Sequence, residues 1–409
     1  MICLNERMEI PRIISVDDHV VEPPDLWQRY LPIALRDRGP RVERVKGKVR
    51  GNGRHFTFPE REDGYWADRW VYEGETMPIT SGFVAVCFDR DDVDNRAVLF
   101  DDLLLGCTDP AARLTEMDAN HVDASLCFPT FPRFCGQTFL EGKDKDLGLA
   151  CVRAYNDWMI DEWCGGPARG HLIPLTLVPM WDVELAVAEV RRCAGKGSHA
   201  ICFSEGPAAL GLASIHSGTW DPLWAACEET DTVVNMHIGS SSTFPQTSAD
   251  APGLVQIALT FEGAAHALTD WLCSGVLARF SDLRIALSEG QVGWMPFLLE
   301  RLDNAWDHAR GYGQVRDRVP EPPSTYMPGR VFGCIFDDQA GLAMRDRIGM
   351  EQIMIETDYP HGDSTWPHSR QTAEKIVTAA GLNAQETHAL LRGNAVRCYR
   401  LDTYFGVEA

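Results

Sequence analysis

Arg12-Ile-Ile-Ser-Val-Asp-Asp-His19-Val-Val-Glu22-Pro-Pro24 reads as an apolar strand that runs into a polar turn, and the rest of the chain repeats this plan. β-Branched or apolar runs recur at 12–19, 124–129, 171–179, 199–204, 232–237, 283–289, 331–337 and 353–358. Between them lie helix-like stretches at 109–121, 145–164, 182–194, 221–230, 254–280, 293–310, 338–348 and 371–400. Alternation in this order implies parallel strands joined by crossover helices. Eight repeats predict an α/β protein of the (β/α)8 TIM-barrel class, with residues 1–409 forming one domain.

One segment breaks the rhythm. Residues 28–108 hold no clean helix but carry Gly-rich, charged and aromatic stretches such as Gly64-Tyr-Trp-Ala-Asp-Arg-Trp70. A structureless loop of that length is uncommon in a compact domain. The segment is therefore expected to be a β-rich insertion between strand 1 and helix 1, lying as a flap over the barrel mouth.

Composition narrows the function. The 409 residues include 38 Lys and Arg against 59 Asp and Glu, a formal charge of −21. Binding to nucleic acid or to an anionic membrane would have to overcome net repulsion, so neither is expected as a partner. Residues 1–10 contain Glu6 and Glu9 and no apolar stretch of signal length, and thirteen cysteines are scattered without a Cys-x-x-Cys pair. Both features predict a cytoplasmic protein with reduced, buried thiols. The region 254–280, with Trp271, Leu272 and Val276, fits either core or the interface of a homo-oligomer.

In a barrel of this kind the chemistry sits where strands end. Asp17 and His19 share one side of strand 1, about 6.6 Å apart along the chain. Glu22 follows at the turn, His237 ends strand 5, Glu289 ends strand 6, and Asp358 and His361 end strand 8. Four carboxylates and three imidazoles brought together by closure carry a large desolvation and like-charge penalty, which divalent cations relieve. Two ions could use all seven residues, Asp17, His19, Glu22, His237, Glu289, Asp358 and His361, with Glu289 as a bridge. This oxygen-rich, thiolate-free set suits iron or manganese at least as well as zinc. Glu356 is expected beneath the ions, and Asp337-Asp338 at the end of strand 7 as the cap of the following helix, with Asp337 alternatively supporting the ions from behind. His216 and Ser240-Ser241-Ser242 fit either substrate contacts or turns. Trp27, Trp294 and Trp366 fit either packing or the wall of a pocket for a bulky apolar small molecule. No Gly-x-Gly-x-x-Gly, P-loop or Gly-x-Ser-x-Gly motif occurs.

Asp17-Asp-His-Val-Val-Glu-Pro-Pro-Asp-Leu-Trp27, Ser288-Glu-Gly-Gln-Val-Gly-Trp294 with Leu299-Glu-Arg-Leu302, and Glu356-Thr-Asp-Tyr-Pro-His-Gly-Asp-Ser-Thr-Trp-Pro367 resemble the amidohydrolase-related (amidohydrolase 2) family of metal-dependent barrels. The resemblance runs from about residue 12 to 400. It implies that Asp17 and His19 stand at the family's strand 1 ligand pair, His237 at its strand 5 ligand and Asp358 at its strand 8 aspartate. Two departures stand out: Glu289 occupies the strand 6 position usually held by His, and the strand 4 run His199-Ala-Ile-Cys-Phe-Ser-Glu205 has no lysine to be carboxylated as a bridge. This carboxylate-rich branch also resembles the non-heme diiron monooxygenase of platensimycin and platencin biosynthesis.

That resemblance implies a diiron oxygenase using O2 and an external electron donor to hydroxylate a bulky terpenoid-like acyl substrate, with Asp358, Glu289 and His237 at the chemistry. The alternative keeps the fold and gives a metal-dependent hydrolase or non-oxidative decarboxylase, with Asp358 handling the proton.

Overall fold

The structure, a computed structural model, describes residues 10–51, 56–308 and 315–408. Glu6, Glu9 and the last two residues of the helix expected at 293–310 lie outside the described residues. Strand β1 (Ile13–Val20) is followed by β2 (Arg41–Gly47), β3 (Arg50–Gly51), β4 (Phe56–Thr57), β5 (Tyr65–Tyr72) and β6 (Glu75–Pro78). Then come β7 (Val122–Pro129), β8 (Leu172–Ile173), β9 (Ala200–Ser204), β10 (Val233–His237), β11 (Ile285–Ser288), β12 (Val331–Ile335) and β13 (Ile353–Ile355).

Parallel strands form two sheets, ordered β1-β7-β8 and β13-β12-β11-β10-β9. They meet at both margins. Thr176, just past β8, bridges Ile201 of β9 in parallel. At the other margin Asp358 N donates to Asp17 O at 3.0 Å and His19 N to Tyr359 O at 2.6 Å. All eight residues of β1 and all five of β10 are buried, as expected of strands covered on both faces.

Helices Pro110–Ala119, Lys145–Trp158, Val183–Ala194 and Gln339–Ala343 each start behind an aspartate, Asp109, Asp144, Asp182 and Asp338, whose carboxylate accepts an N–H of the first turn. Two expected elements differ. The strand expected over 171–179 pairs only at Leu172–Ile173 and Thr176, because Pro174 and Pro179 lack the N–H a ladder needs. The helix expected over 254–280 is three helices, Gly253–Leu259, Phe261–Cys273 and Val276–Arg279, the last break falling at Gly275 with φ 76°. Trp271, Leu272 and Val276 are buried within this chain and form core.

Between β1 and the helix Pro110–Ala119 the chain builds an antiparallel sheet, β2-β5-β6, whose last hairpin turns tightly through Glu73-Gly74, both at positive φ. Trp70 of β5 packs on Trp27 and Phe131, with ring centroids 5.2 and 4.7 Å apart. Among the described residues no helix is long and apolar enough to cross a membrane. The twelve described cysteines are free thiols.

Candidate metal centre

β1 carries a bulge. Ser15 pairs with Ser125 and Asp18 with Cys127, so Val16 and Asp17 together face Leu126 alone. Bulges re-aim side chains beside functional sites. Here Asp17 and His19 point to one side, and His19 Nε2 lies 3.6 Å from Asp17 Oδ1. Asp18 points away and staples the margin: its carboxylate accepts from Ser15, Ser125, Thr357 and the Tyr359 N–H.

The other strand ends converge on the same place. His19 Nε2 is 3.4 Å from Asp358 Oδ1, which is 3.4 Å from His361 Nδ1. His237 Nε2 is 3.6 Å from Asp17 Oδ2 and 3.0 Å from Glu289 Oε2. The rings of His19 and His361 stack with centroids 3.5 Å apart. Among the described residues three groups with ligand-like spacing result: Asp17/His19/His237 and His19/Asp358/His361, which share His19, and Asp17/Cys334/Glu356, which shares Asp17 with the first. Glu289 and Asp358 hold left-handed backbone, φ 58° and 49°. Such conformations are costly for residues other than glycine and cluster at functional sites.

Polar atoms of this cluster lack the partners that burial demands. His237 Nδ1 contacts the Ile238 carbonyl at 2.6 Å, an oxygen that can only accept, so Nδ1 carries a proton and Nε2 is the ring atom turned to the carboxylates of Asp17 and Glu289. Both oxygens of Asp17 and of Asp358, both ring nitrogens of His19 and His237 Nε2 are buried with no hydrogen-bond partner. Burial, with the charges of Glu356 and Glu289, raises the Asp17 carboxyl well above the usual range, and burial with Glu289 and Asp17 does the same to Asp358. Burial lowers His19 and takes His361 to about 3, leaving neutral imidazoles. Burial also works to raise Glu289, but the neighbouring His237 and His361 hold it below the ordinary value.

Neutral imidazoles and carboxylates are the metal-binding forms. An ion held at about 2.0–2.2 Å spaces adjacent ligand atoms by about 3.0–3.6 Å, the separations seen here. The residues fit a divalent cation.

Glu22 is placed elsewhere: its two oxygens accept the Thr130 and Phe131 N–H groups at 3.0 and 2.8 Å, so it braces the turn after β7 and does not join the cluster. Glu356 lies buried below, accepting from Cys334 Sγ at 2.6 Å and from the Glu289 N–H at 3.1 Å, and so holds the Glu289 backbone. His216 is on the surface, paired with Asp270. Ser240 and Ser241 bond Glu205, whose carboxylate fastens the turn after His237. Trp27 is core. Trp366 packs edge-on against Tyr359.

Sequence reasoning missed Phe134, which stacks on His237 at 4.0 Å, and the fully buried Arg113, whose guanidinium donates to the His19 carbonyl at 2.7 Å. Neither stands at a strand end, so the polar-rim pattern does not reach them.

Two openings reach the centre. A cavity of about 250 Å³ is walled by His361, Phe134, Phe244 and Pro129 together with Phe56, Met77 and Phe83 from the 28–108 segment. On another side, Glu289 lines an open acidic groove with Asp337, Asp338, Asp363, Gln291 and Trp294.

The family description "Amidohydrolase" matches residues 63–401. No curated protein matches the chain at a significant level. Among solved structures, an amidohydrolase from Mycobacterium avium subsp. paratuberculosis K-10 is similar, with 22% identity, a TM-score of 0.69, and 95% of this chain and 99% of that one covered. The 2,6-dihydroxybenzoate decarboxylase from Rhizobium is 15% identical with a TM-score of 0.59, covering 96% and 100%. A dihydroxybenzoic acid decarboxylase from Polaromonas sp. JS666, solved with bound manganese and 2-nitroresorcinol, is 17% identical with a TM-score of 0.56, covering 72% and 87%. At these identities the structural matches speak to fold alone. The family match spans most of the sequence and includes the strand ends that supply His237, Glu289, Asp358 and His361, and on that ground the chain belongs to the Amidohydrolase family.

Proposed function

We propose that this chain is a divalent-metal-dependent enzyme that removes carbon dioxide from, or hydrolyses, a bulky apolar small molecule held beside His361. In this reading the two margins close the eight parallel segments into a (β/α)8 barrel, and the 28–108 segment covers its mouth. The carrying observation is that seven buried polar atoms of Asp17, His19, His237 and Asp358 lack any hydrogen-bond partner, directly behind His361 and Phe134, which stack on His19 and His237 and line an apolar cavity. The decarboxylase names among proteins of similar fold support non-oxidative decarboxylation as the leading reaction.

Asp17, His19, His237 and Asp358 would hold the ion. When bound it would polarise a carboxylate or acidify a water molecule. Phe134 and Phe83, packed on His237 and His361, keep bulk water from the reacting centre. In decarboxylation the bond to the carboxylate carbon breaks, carbon dioxide leaves, and the remaining carbon takes a proton. Asp358, with two unpartnered oxygens and His361 Nδ1 3.4 Å away, is placed to supply it.

A second reading is favoured by two features: His19 belongs to two of the ligand groups, and Glu289 adds a carboxylate beside His237. In that reading two iron ions support an oxygenase needing O2 and an electron donor. Metal analysis of protein purified without added metal, paired with anaerobic turnover of aromatic and polycyclic carboxylates, separates the two. A divalent ion with oxygen-independent carbon dioxide release supports the first. About two irons per chain with oxygen consumption supports the second. A protein that binds no divalent ion overturns both.

A further inference from the structure

The apolar cavity beside the metal centre contains one full positive charge. Arg133 lines it alongside Phe134, Phe244 and Phe83, and also lines an adjoining polar cavity of about 300 Å³ with Glu141 and Lys143. The Arg133 side chain is 14% exposed, whereas its ion-pair partner Glu141, 2.8 Å from Nη1, is 54% exposed. The guanidinium is thus held at the junction of the two spaces with its counter-ion on the solvent side. Its other terminal nitrogen donates to Ser242 Oγ.

Arg133 and Ser242 both hold left-handed backbone, φ 62° and 57°. Two loops, one after β7 and one after β10, therefore keep unfavourable conformations at the point where they fix this guanidinium. Gly239, also at positive φ, sits where a Cβ would meet Phe244 at 2.9 Å and Phe134 at 3.2 Å, so the aromatic wall closes only over a glycine. A cation set among aromatic rings and restrained by strained loops is built to meet an anion arriving from the apolar side.

We infer that Arg133 captures an acidic group of the ligand, separate from any carboxylate that reacts at the metal, and that the ligand class is an amphipathic organic carboxylate: a rigid hydrocarbon body for the aromatic chamber, with an anion on Arg133. The fate of the ligand rests on the metal-dependent reading proposed above; its capture does not. Glu141 is the built-in competitor that occupies the guanidinium until the ligand anion displaces it.

Calorimetric titration with 2-naphthoate and 2-naphthamide, equal in size and different in charge, tests this. It is run on metal-stripped and on metal-loaded protein. Metal-stripped wild type is expected to prefer naphthoate, Arg133→Met to lose about tenfold in naphthoate affinity while binding naphthamide within twofold of wild type, and Glu141→Gln to bind naphthoate severalfold more tightly. A naphthoate preference that survives Arg133→Met, or that exists only with metal present, overturns the inference, as does a Glu141→Gln chain with unchanged naphthoate affinity. Should Arg133→Met fail to fold, the exposed Glu141 still decides the matter through its opposite direction of effect. Failure of the metal reading shows separately, as absence of metal uptake.

Discussion

His237 Nε2 lies 3.0 Å from Glu289 Oε2 while the other ring nitrogen is committed to the Ile238 carbonyl, so Nε2 is the ring atom left to share a cation with this carboxylate. A divalent ion there would be coordinated by both residues. In Glu289→Gln the amide can instead donate to Nε2 and satisfy the ring without metal. Divalent-ion affinity is expected to fall about 10- to 100-fold, measured by competition with a chelator. Unchanged affinity would remove Glu289 from the centre.

Asp358 gives a second test. Its Oδ atoms lie buried among Asp17, Glu289 and Glu356 without partners. Asparagine tolerates the left-handed backbone at this position and removes one anion. The metal-free Asp358→Asn chain is expected to melt no lower than metal-free wild type. Wild type at an ion concentration of 100 times Kd should gain about 2.7 kcal/mol, and the variant should gain little. Thermal melts with and without added ion check both; a variant that keeps the full gain contradicts the ligand assignment.

Much of this was legible from the chain. Period-two alternation around Asp17 and His19, and the polar ends of strands 5, 6 and 8, located the cluster because strand ends in parallel sheets share one rim. Glu22 was misplaced for a physical reason: a carboxylate at a strand-to-loop turn can serve either a cation or free N–H groups, and the outcome depends on how the turn after β7 folds back. Arg133, Phe134 and Glu205 act through loops whose paths no periodicity encodes. Of the two breaks in the helix expected over 254–280, the second falls at Gly275, whose positive φ ends the helix without interrupting the apolar pattern around it.

Stability of the metal-free protein should fall as pH rises from about 6.5 to 8, a window above the point where unfolded-chain histidines take up the protons that His19 and His361 lack in the fold. Burial, against the N–H groups of Phe131 and Thr130, raises Glu22 from 4.5 to about 7. Burial, against Ser241 and Gly239, takes Glu205 to about 7, and burial takes Glu356 to about 8. Folded chains therefore keep protons that unfolded chains release above about 4.5, and this stabilisation is lost as pH passes the folded values. Each retained proton contributes a slope of about 1.4 kcal/mol per pH unit. Urea unfolding with chelator present reads the slope, and Glu205→Gln should flatten it. A stability that climbs across this window would be inconsistent with protonated buried carboxyls.

Trp27 packs without exposure against Trp70, Phe131 and Phe139, joining the 28–108 segment to the turn after β7. Trp27→Ala is expected to cost about 3–5 kcal/mol, seen in denaturant unfolding. Metal stoichiometry of the folded fraction should stay as in wild type, since the indole touches no ligand. Loss of metal at full folding would assign Trp27 to the centre instead.

The centre meets solvent through His361 on an aromatic side and Glu289 on an acidic one. A tight inhibitor wedged behind the phenylalanines would seal one doorway and leave the other ajar, so a chelator could still strip the ion from an inhibited enzyme. Traffic of the ion and traffic of the hydrocarbon can thus be tuned by separate sets of residues.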